Sequence, residues 1–380
     1  MTEQQADVLK RLQSNPNIEE ILNVAELTYL IESGTKLKHY IGFEISGNPH
    51  IGSGLITMFV VKHLLELDAE VTIFLADWHA WINHKLGGDR ELIKKAALHS
   101  FKHMMAAAAI AVGVDHKRVN FVLGSNLYEQ NPEHWANLIE VSEHLTLSRI
   151  KRSIDIMGRK SGDIVAFSSL IYPPLQVADI YTMQLNIVHA GTDQRKAHVL
   201  ARQVASKMTV KPLFDAKGNK IKPVAIHHKL LPGLETPPEW PLTPERAKEL
   251  VTEMKMSKSK PDSAIFMNDT PDEVRRKLNK AFCPEGDVSY NPVVMWAKML
   301  IFGFGYTLDV TRPEKWGGNL HFDSYEQLEK TFVEKQLHPQ DLKSAVAEHI
   351  IKLLEPAHKY LEGLEDLKEV QEEIKKRITR

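Results

Sequence analysis

The sequence predicts an α/β fold: a Rossmann-like parallel sheet with an inserted helical region, followed by an all-α C-terminal part. Three observations carry this prediction. Short apolar runs rich in branched residues alternate with helical patterns up to about residue 230, the signature of a parallel sheet covered on both faces. Beyond about residue 262 the apolar spacing is helical almost throughout. At 380 residues the chain exceeds one ordinary core, which points to two or three domains.

The strands are read in order as "HYIGFEI" (39–45), "EVTIFLAD" (70–77), "RVNFVLG" (118–124), "LNIVHAG" (185–191) and "KPVAIHH" (222–228). Helical patterns lie at 53–67, 89–112, 133–157, 172–183 and 193–208, and those at about 100–180 form the insertion. "ETPPEWPLTPERAKEL" (235–250) reads as an inserted surface segment with a short helix. From 263 to 380, runs such as "TPDEVRRKLNKAF" and "HPQDLKSAVAEHIIKLLEPAHKYLEGL" give the helical domain. The first domain is therefore 1–262.

Hydrophobic residues make up 43% and charged residues 26% of the chain, as in soluble globular proteins. No run reaches the roughly 18 apolar residues of a membrane span. The N-terminal "MTEQQADVLKRLQ" is polar and helical in pattern, unlike a secretory signal. The single cysteine, Cys283, excludes an internal disulfide and implies a reducing, cytoplasmic setting. A net charge of −1 leaves any nucleic-acid binding to local basic patches. Histidines number 18, yet they lack ligand spacing. His79 and His84 do not share a helical face, and His227 and His228 point to opposite faces of a strand. No metal site is expected.

Two stretches carry phosphate chemistry. "GNPHIGSG" (47–54) sits between a strand and a helix. Its glycines allow close backbone approach, and the helix start favours an anion. It is neither a Walker loop nor a GxGxxG turn. "MKMSKSKPDSAIF" (254–266) sets lysines and serines in a loop able to close over a polyphosphate. Alone, the first reads equally well as an ordinary turn and the second as a solvated linker. A third stretch, "IYPPLQVADIY", places Tyr172, Gln176 and Asp179 on one helical face. The flanking Leu175, Val177 and Ile180 suggest burial, and a buried aspartate needs a partner. A phenol hydroxyl suits it, with Tyr40 on the first strand as a second contact.

"HIGSG" and "KMSKS" resemble the two signatures of class I aminoacyl-tRNA synthetases, in the right order across an α/β domain. With "YIGFEISGNPHIG", "FLADWHAWIN", "IYPPLQVADI", "GTDQRKAHVLAR", "AFCPEG", "RPEKWGGNL" and "LHPQDLKSAVAE", the chain from about 37 to 355 resembles the tyrosyl-tRNA synthetase family of archaeal and eukaryotic type. The tryptophanyl family shares both signatures, but indole has no hydroxyl to engage Tyr40 and Asp179. A nucleotidylyltransferase would share the histidine–glycine turn and a basic loop. The helical domain and the Tyr172/Gln176/Asp179 face argue against it.

The resemblance implies activation of L-tyrosine with ATP to tyrosyl-adenylate, then transfer to the 3′ end of tRNA(Tyr). ATP is a substrate accompanied by Mg2+ that its phosphates hold. His50, Gly52, Lys255 and Lys258 would be catalytic. Gly47, His50, Gly52, Asp193, Met256, Ser257 and Lys258 would bind ATP, with Asp193 at the ribose. Tyr40 and Asp179 would hold the tyrosine hydroxyl, and Tyr172, Gln176 and Gln194 its ammonium. For tRNA, Arg149 and Arg152 of "TLSRIKRSI" would face the acceptor stem, while Trp316, His338 and Asp341 would meet the anticodon. The family is homodimeric, with the helices at roughly 100–160 as the expected interface. Two features depart from the pattern: Ser53 stands where the signature has a second histidine, and residues 205–255 run longer than the family minimum.

Overall fold

A computed structural model describes residues 1–158, 166–258 and 260–378. Its strands are β1 (Ile18–Leu22), β2 (Lys38–Glu44), β3 (Glu70–Ala76), β4 (Val119–Leu123), β5 (Ile187–Gly191), β6 (Val224–His228), β7 (Leu308–Val310) and β8 (Leu320–Phe322). The five expected strands are all present as β2 to β6, and they pair in parallel. β5 and β6 are buried along their whole length. That fits central strands with helices on both faces, whose sequences carry no polar alternation.

The main sheet has the order β1-β6-β5-β2-β3-β4. From β2 the chain builds β3 and β4 on one side. It then returns through the helix Phe167–Thr182 to place β5 on the other side of β2. The direction of winding therefore reverses between β2 and β5, and a crevice opens at their C-terminal ends. The turn 47–54 follows β2 directly, so it lies on that crevice.

The structure adds two features to the predicted fold. β1 pairs antiparallel with β6 at the sheet edge. Its sequence, IEEIL, reads as polar, because an edge strand needs only one buried face. Glu20 uses its other side to accept from His227 Nδ1 at 2.8 Å. In the helical part, β7 and β8 form an antiparallel ribbon of three-residue strands, too short to register as a period. The helix Phe167–Thr182 begins five residues before the expected 172 and contains Pro173 and Pro174. Each proline removes one helical hydrogen bond, but the helix is buried along most of its length, and that packing overrides the local preference.

One apolar core runs from Val8 to Ile374 across both predicted domains. The alanine-rich helix Lys102–Ala111 packs against the long helix Pro339–Glu362. Ala106 to Ala109 are buried there, and their small side chains let the two backbones approach. The 205–255 segment serves a similar joining role. Its helix Pro244–Glu253 packs Ala247 and Leu250 on Tyr290 of the helical part. The last helix spans Leu367–Ile378.

Candidate active site

A cavity of about 560 Å³ opens at the C-terminal ends of β2, β5 and β6. It brings together Tyr40, Tyr172, Gln176, Asp179 and Gln194 with His50, Gly52, Asp193, Lys255, Met256, Ser257 and Lys258. Gly47 lies just behind the wall. Its φ of +124° falls in the region that favours glycine, and its carbonyl accepts from Lys258 Nζ at 3.2 Å. Ser259, the last residue of the lysine–serine signature, lies outside the described residues.

At the deep end, Asp179 is 1% exposed. Its Oδ1 accepts from the Tyr128 hydroxyl at 3.0 Å, while Oδ2 has no hydrogen-bond partner. His79 Nε2 stands 3.7 Å from that oxygen. Neither ring nitrogen of His79 is bonded, nor is Gln176 Oε1. Burial pushes the Asp179 carboxyl well above the usual range, against the Tyr128 hydrogen bond. It pushes the His79 imidazole down to about 3. Tyr40 is raised by burial and then by the Asp179 charge. Buried polar atoms are normally paired. This group of unpaired ones around a single cavity can receive the polar end of a buried ligand.

Tyr172 is raised by burial and then by Glu44, to which its hydroxyl is bonded. Glu44 also accepts from Asn83 Nδ2 at 2.9 Å and pairs with Lys85 at 3.3 Å. Gln194 Nε2 donates to the Ile156 carbonyl at 2.9 Å, so its amide orientation is fixed.

At the open end, His50 Nδ1 accepts from the Ser53 backbone N–H at 3.2 Å. The ring proton therefore sits on Nε2. Burial, then the Lys258 and Lys255 charges, depress His50 to about 3, so the ring is a neutral donor. The Ser53 hydroxyl turns back to the His50 carbonyl at 3.0 Å. It serves the helix start and does not stand in for a second imidazole. The same start is widened into a π-turn over Gly52–Ile56, a distortion frequent at functional sites. At Gly52 an added Cβ would lie 3.1 Å from His50 Nδ1 and from Leu231 Cβ, so a side chain would disturb the imidazole.

The two signature stretches are joined. Ile51 N–H donates to the Ile265 carbonyl at 2.8 Å, and Met267 N–H to that of Pro49 at 3.2 Å. Lys255 is ion-paired with Asp193. Lys258 Nζ donates to Ser46 Oγ at 3.2 Å. Together with Lys85 they set three ammonium groups at the mouth, a match for a polyphosphate.

The remaining predicted residues lie outside the cavity. Arg149 bonds Gln203. Arg152 is exposed, and its Nε donates to the Ser148 carbonyl at 3.3 Å. Trp316 is 59% exposed and so is not a core aromatic. His338 caps the helix Pro339–Glu362, whose first turn carries Asp341. Arg312 donates to the Gly318 carbonyl at 2.6 Å and to that of Gln336 at 2.8 Å, tying the Trp316 loop to the His338 turn.

Sequence reasoning missed Glu44, His79, Lys85, Tyr128 and His228. Of these, Glu44 stands inside the quoted "YIGFEISGNPHIG", His79 inside "FLADWHAWIN" with Lys85 two residues beyond it, and His228 ends the quoted strand "KPVAIHH"; only Tyr128 lies in no quoted stretch.

Comparison with known proteins agrees with this geometry. The profile of the class I tRNA synthetases (W and Y) matches residues 32–355. A tyrosine–tRNA ligase of Thermococcus sibiricus is 48% identical over 373 residues, covering 96% of this chain and 99% of the relative. One from Pyrococcus abyssi is 49% identical, covering 95% of this chain and 96% of the relative. The crystal structure of tyrosyl-tRNA synthetase complexed with L-tyrosine from Pyrococcus horikoshii aligns with a TM-score of 0.93 at 46% identity. It covers 97% of this chain and 99% of that one. A tryptophanyl-tRNA synthetase from Aeropyrum pernix K1 shares the fold at 18% identity, with a TM-score of 0.65 and coverage of 93% and 84%.

Proposed function

The chain belongs to the class I tRNA synthetases of the tryptophanyl and tyrosyl family, and we propose how its residues perform the tyrosine–tRNA ligation of its nearly full-length relatives. The enzyme activates L-tyrosine with ATP to tyrosyl-adenylate and pyrophosphate, then transfers the tyrosyl group to tRNA(Tyr). The observation that carries the residue assignment is the unpaired Asp179 Oδ2 at the deep end of the cavity. Asp179 and Tyr40 take the tyrosine hydroxyl. Tyr172, Gln176 and Gln194 hold the ammonium, so the carboxylate points toward the mouth.

Activation is an in-line attack of that carboxylate on the α-phosphate, with pyrophosphate leaving. The protein positions the reactants and stabilises the shifting charge. His50 Nε2–H donates to a phosphate oxygen. Lys258 holds the departing phosphates, assisted by Lys255 and Ser257, while Gly47, Gly52 and Met256 shape the nucleotide bed. Asp193 meets the ribose. Magnesium enters with ATP and is held by its phosphates, as is usual for this ion. No helix among the described residues is long and apolar enough to cross a membrane, and we assign the enzyme to the cytoplasm.

Residues 1–262 form the catalytic domain in this reading and 263–380 the anticodon-binding one. The exposed Trp316 stacks on an unpaired base, a usual way of reading RNA loops, beside His338 and Asp341. Arg149 and Arg152 meet the acceptor stem. Among the twenty amino acids, tyrosine alone should drive rapid ATP–pyrophosphate exchange. Arg152→Glu should keep that exchange within about twofold and lower tRNA charging by about tenfold, since removing an arginine that contacts a base costs about 1–3 kcal/mol. Equal loss of both steps would remove Arg152 from the tRNA surface.

A second copy of the chain covers the exposed face of the helix His134–Glu143 and the start of Phe167–Thr182. Ile139 is 61% and Phe167 78% exposed there, with Trp135 and Leu147 also open. The Lys102–Ala111 helix, within the range first expected, is instead spent inside the chain. Sedimentation should give a dimer for the wild type and a monomer for Ile139→Asp; a wild-type monomer rules the interface out.

A further inference from the structure

Five buried histidines divide between the two faces of the main sheet. His227 joins His198 Nδ1 at 2.9 Å and Glu20 on one face. His39 on β2, His189 on β5 and His228 on β6 share the other face. The register places His39 beside Ile187, His189 beside Ile226 and Gly191 beside His228. The three rings therefore run diagonally toward the C-terminal strand ends. His39 Nε2 is 3.3 Å from His189 Nδ1, and His189 Nε2 is 2.8 Å from His228 Nδ1. The last ring lines the catalytic cavity.

Burial depresses all three imidazoles, His39 to about 3, His228 to about 4 and His189 well below its ordinary value. Each ring is therefore neutral and carries one N–H. Two bonds linking three neutral rings allow only two arrangements: every proton on Nε2, or every proton on Nδ1. The second leaves His39 with a buried N–H that has no partner, since His39 Nδ1 is unbonded and the residue is fully buried. Orphaned buried donors are rare. It also turns a His228 lone pair toward Asp193. A Cβ added to Gly191 would meet Asp193 Oδ1 at 2.7 Å and His228 Nε2 at 3.5 Å, so carboxylate and ring edge share one wall. Both considerations select the arrangement with every proton on Nε2.

The geometry points to His228 Nε2–H as a fixed hydrogen-bond donor in the nucleotide subsite, which with the Asp193 carboxylate grips the vicinal diol of the ribose. The carboxylate accepts from one hydroxyl, and the imidazole donates to the oxygen of the other. His189 and His39 are positioning residues that set the tautomer. This assignment rests on the ATP reading of the cavity.

The test is tyrosine-dependent pyrophosphate exchange by the full chain with ATP, 2′-deoxy-ATP and 3′-deoxy-ATP. The wild type should prefer ATP over at least one deoxy analogue by about tenfold or more in kcat/KM, the scale of one buried hydrogen bond. His228→Ala should bring that ratio close to one and raise the KM for ATP without changing that for tyrosine. His228→Asn, which keeps an N–H donor, should restore part of the preference, and His189→Leu should give an intermediate ratio. A purely structural role would slow exchange with all three nucleotides alike and leave the ratio at its wild-type value; that result in His228→Ala and His228→Asn overturns the assignment. A wild type indifferent to both hydroxyls overturns it as well. A wild type without exchange on ATP itself would instead overturn the parent reading.

Discussion

Lys258→Met should lower tyrosine-dependent pyrophosphate exchange by about 10²–10³-fold, the usual cost of removing one preorganised group from a developing charge. The reason lies in how the lysine is held. Its Nζ donates to Ser46 Oγ and to the Gly47 carbonyl, both at 3.2 Å, and lies 5.1 Å from the Phe101 ring centroid. It is fixed over the turn that carries His50, and among the described residues no carboxylate is ion-paired with it. Its charge is thus available to phosphate. Burial, then the Lys85 ammonium, bring Lys258 down to about 8, with Glu44 pulling the other way. The free enzyme consequently loses this charge as pH rises through about 8. The kcat/KM for ATP, which reports free-enzyme groups, should have an alkaline limb there that is absent in Lys258→Met. Stability runs in the opposite sense. A cation depressed on folding binds its proton less tightly than in the unfolded chain, whose lysine titrates near 10.5. Its cost is present below about 8 and is relieved between about 8 and 10.5. Exchange within tenfold of wild type in Lys258→Met would leave the lysine outside the mechanism.

The sequence made part of this site legible and concealed the rest for identifiable reasons. Tyr172, Gln176 and Asp179 were found because a helix puts i, i+4 and i+7 on one face, and all three do line the cavity. His50 and Lys258 were found because the two stretches that hold them, each ambiguous alone, together resemble the paired signatures of one family. Glu44, Tyr128 and His228 come singly from three different elements. Only the reversal of winding between β2 and β5 brings them to one place, and no local period records that reversal. The adjacency of His227 and His228 did predict opposite faces. It could not predict that one face holds a chain of three rings, because His39, His189 and His228 are far apart in the chain and meet only through the strand order. The same holds for Glu20 of β1, which looks like surface until its His227 and Arg195 contacts are seen. Ser53 is the reverse case. It reads as a defect in the signature, yet its backbone N–H sets the His50 tautomer, and a backbone group does not depend on the side chain at that position.

Asp179→Leu should collapse the preference for tyrosine over phenylalanine in pyrophosphate exchange by about 10²-fold or more, with little change in the KM for ATP. When phenylalanine enters the wild-type cavity, Asp179 Oδ2 stays buried and unpaired, while the Tyr40 hydroxyl keeps only its hydrogen bond to Gln176. Each buried group left unpaired costs about 1–3 kcal/mol, and 1.4 kcal/mol is a factor of ten. Tyrosyl enzymes are themselves the standard example of this asymmetry, in which a site built for a hydroxyl rejects the ligand lacking it. Leucine removes the carboxylate at similar volume, so tyrosine loses its partner and phenylalanine loses its penalty. Asp179 also accepts from Tyr128, and the substitution leaves that phenol without an acceptor, which lowers stability irrespective of the ligand. Tyr128→Phe separates the two effects. It deletes the donor and retains Oδ2, so it should cost stability in thermal unfolding and change the tyrosine preference far less than Asp179→Leu does. In the proposed site ATP lies at the other end of the cavity, against Lys258 and His50, so its KM should stay within a few-fold in both variants. If Asp179→Leu discriminates as well as the wild type, hydroxyl recognition must rest on Tyr40 or His79, and the unpaired oxygen of Asp179 would belong to the core instead of the substrate.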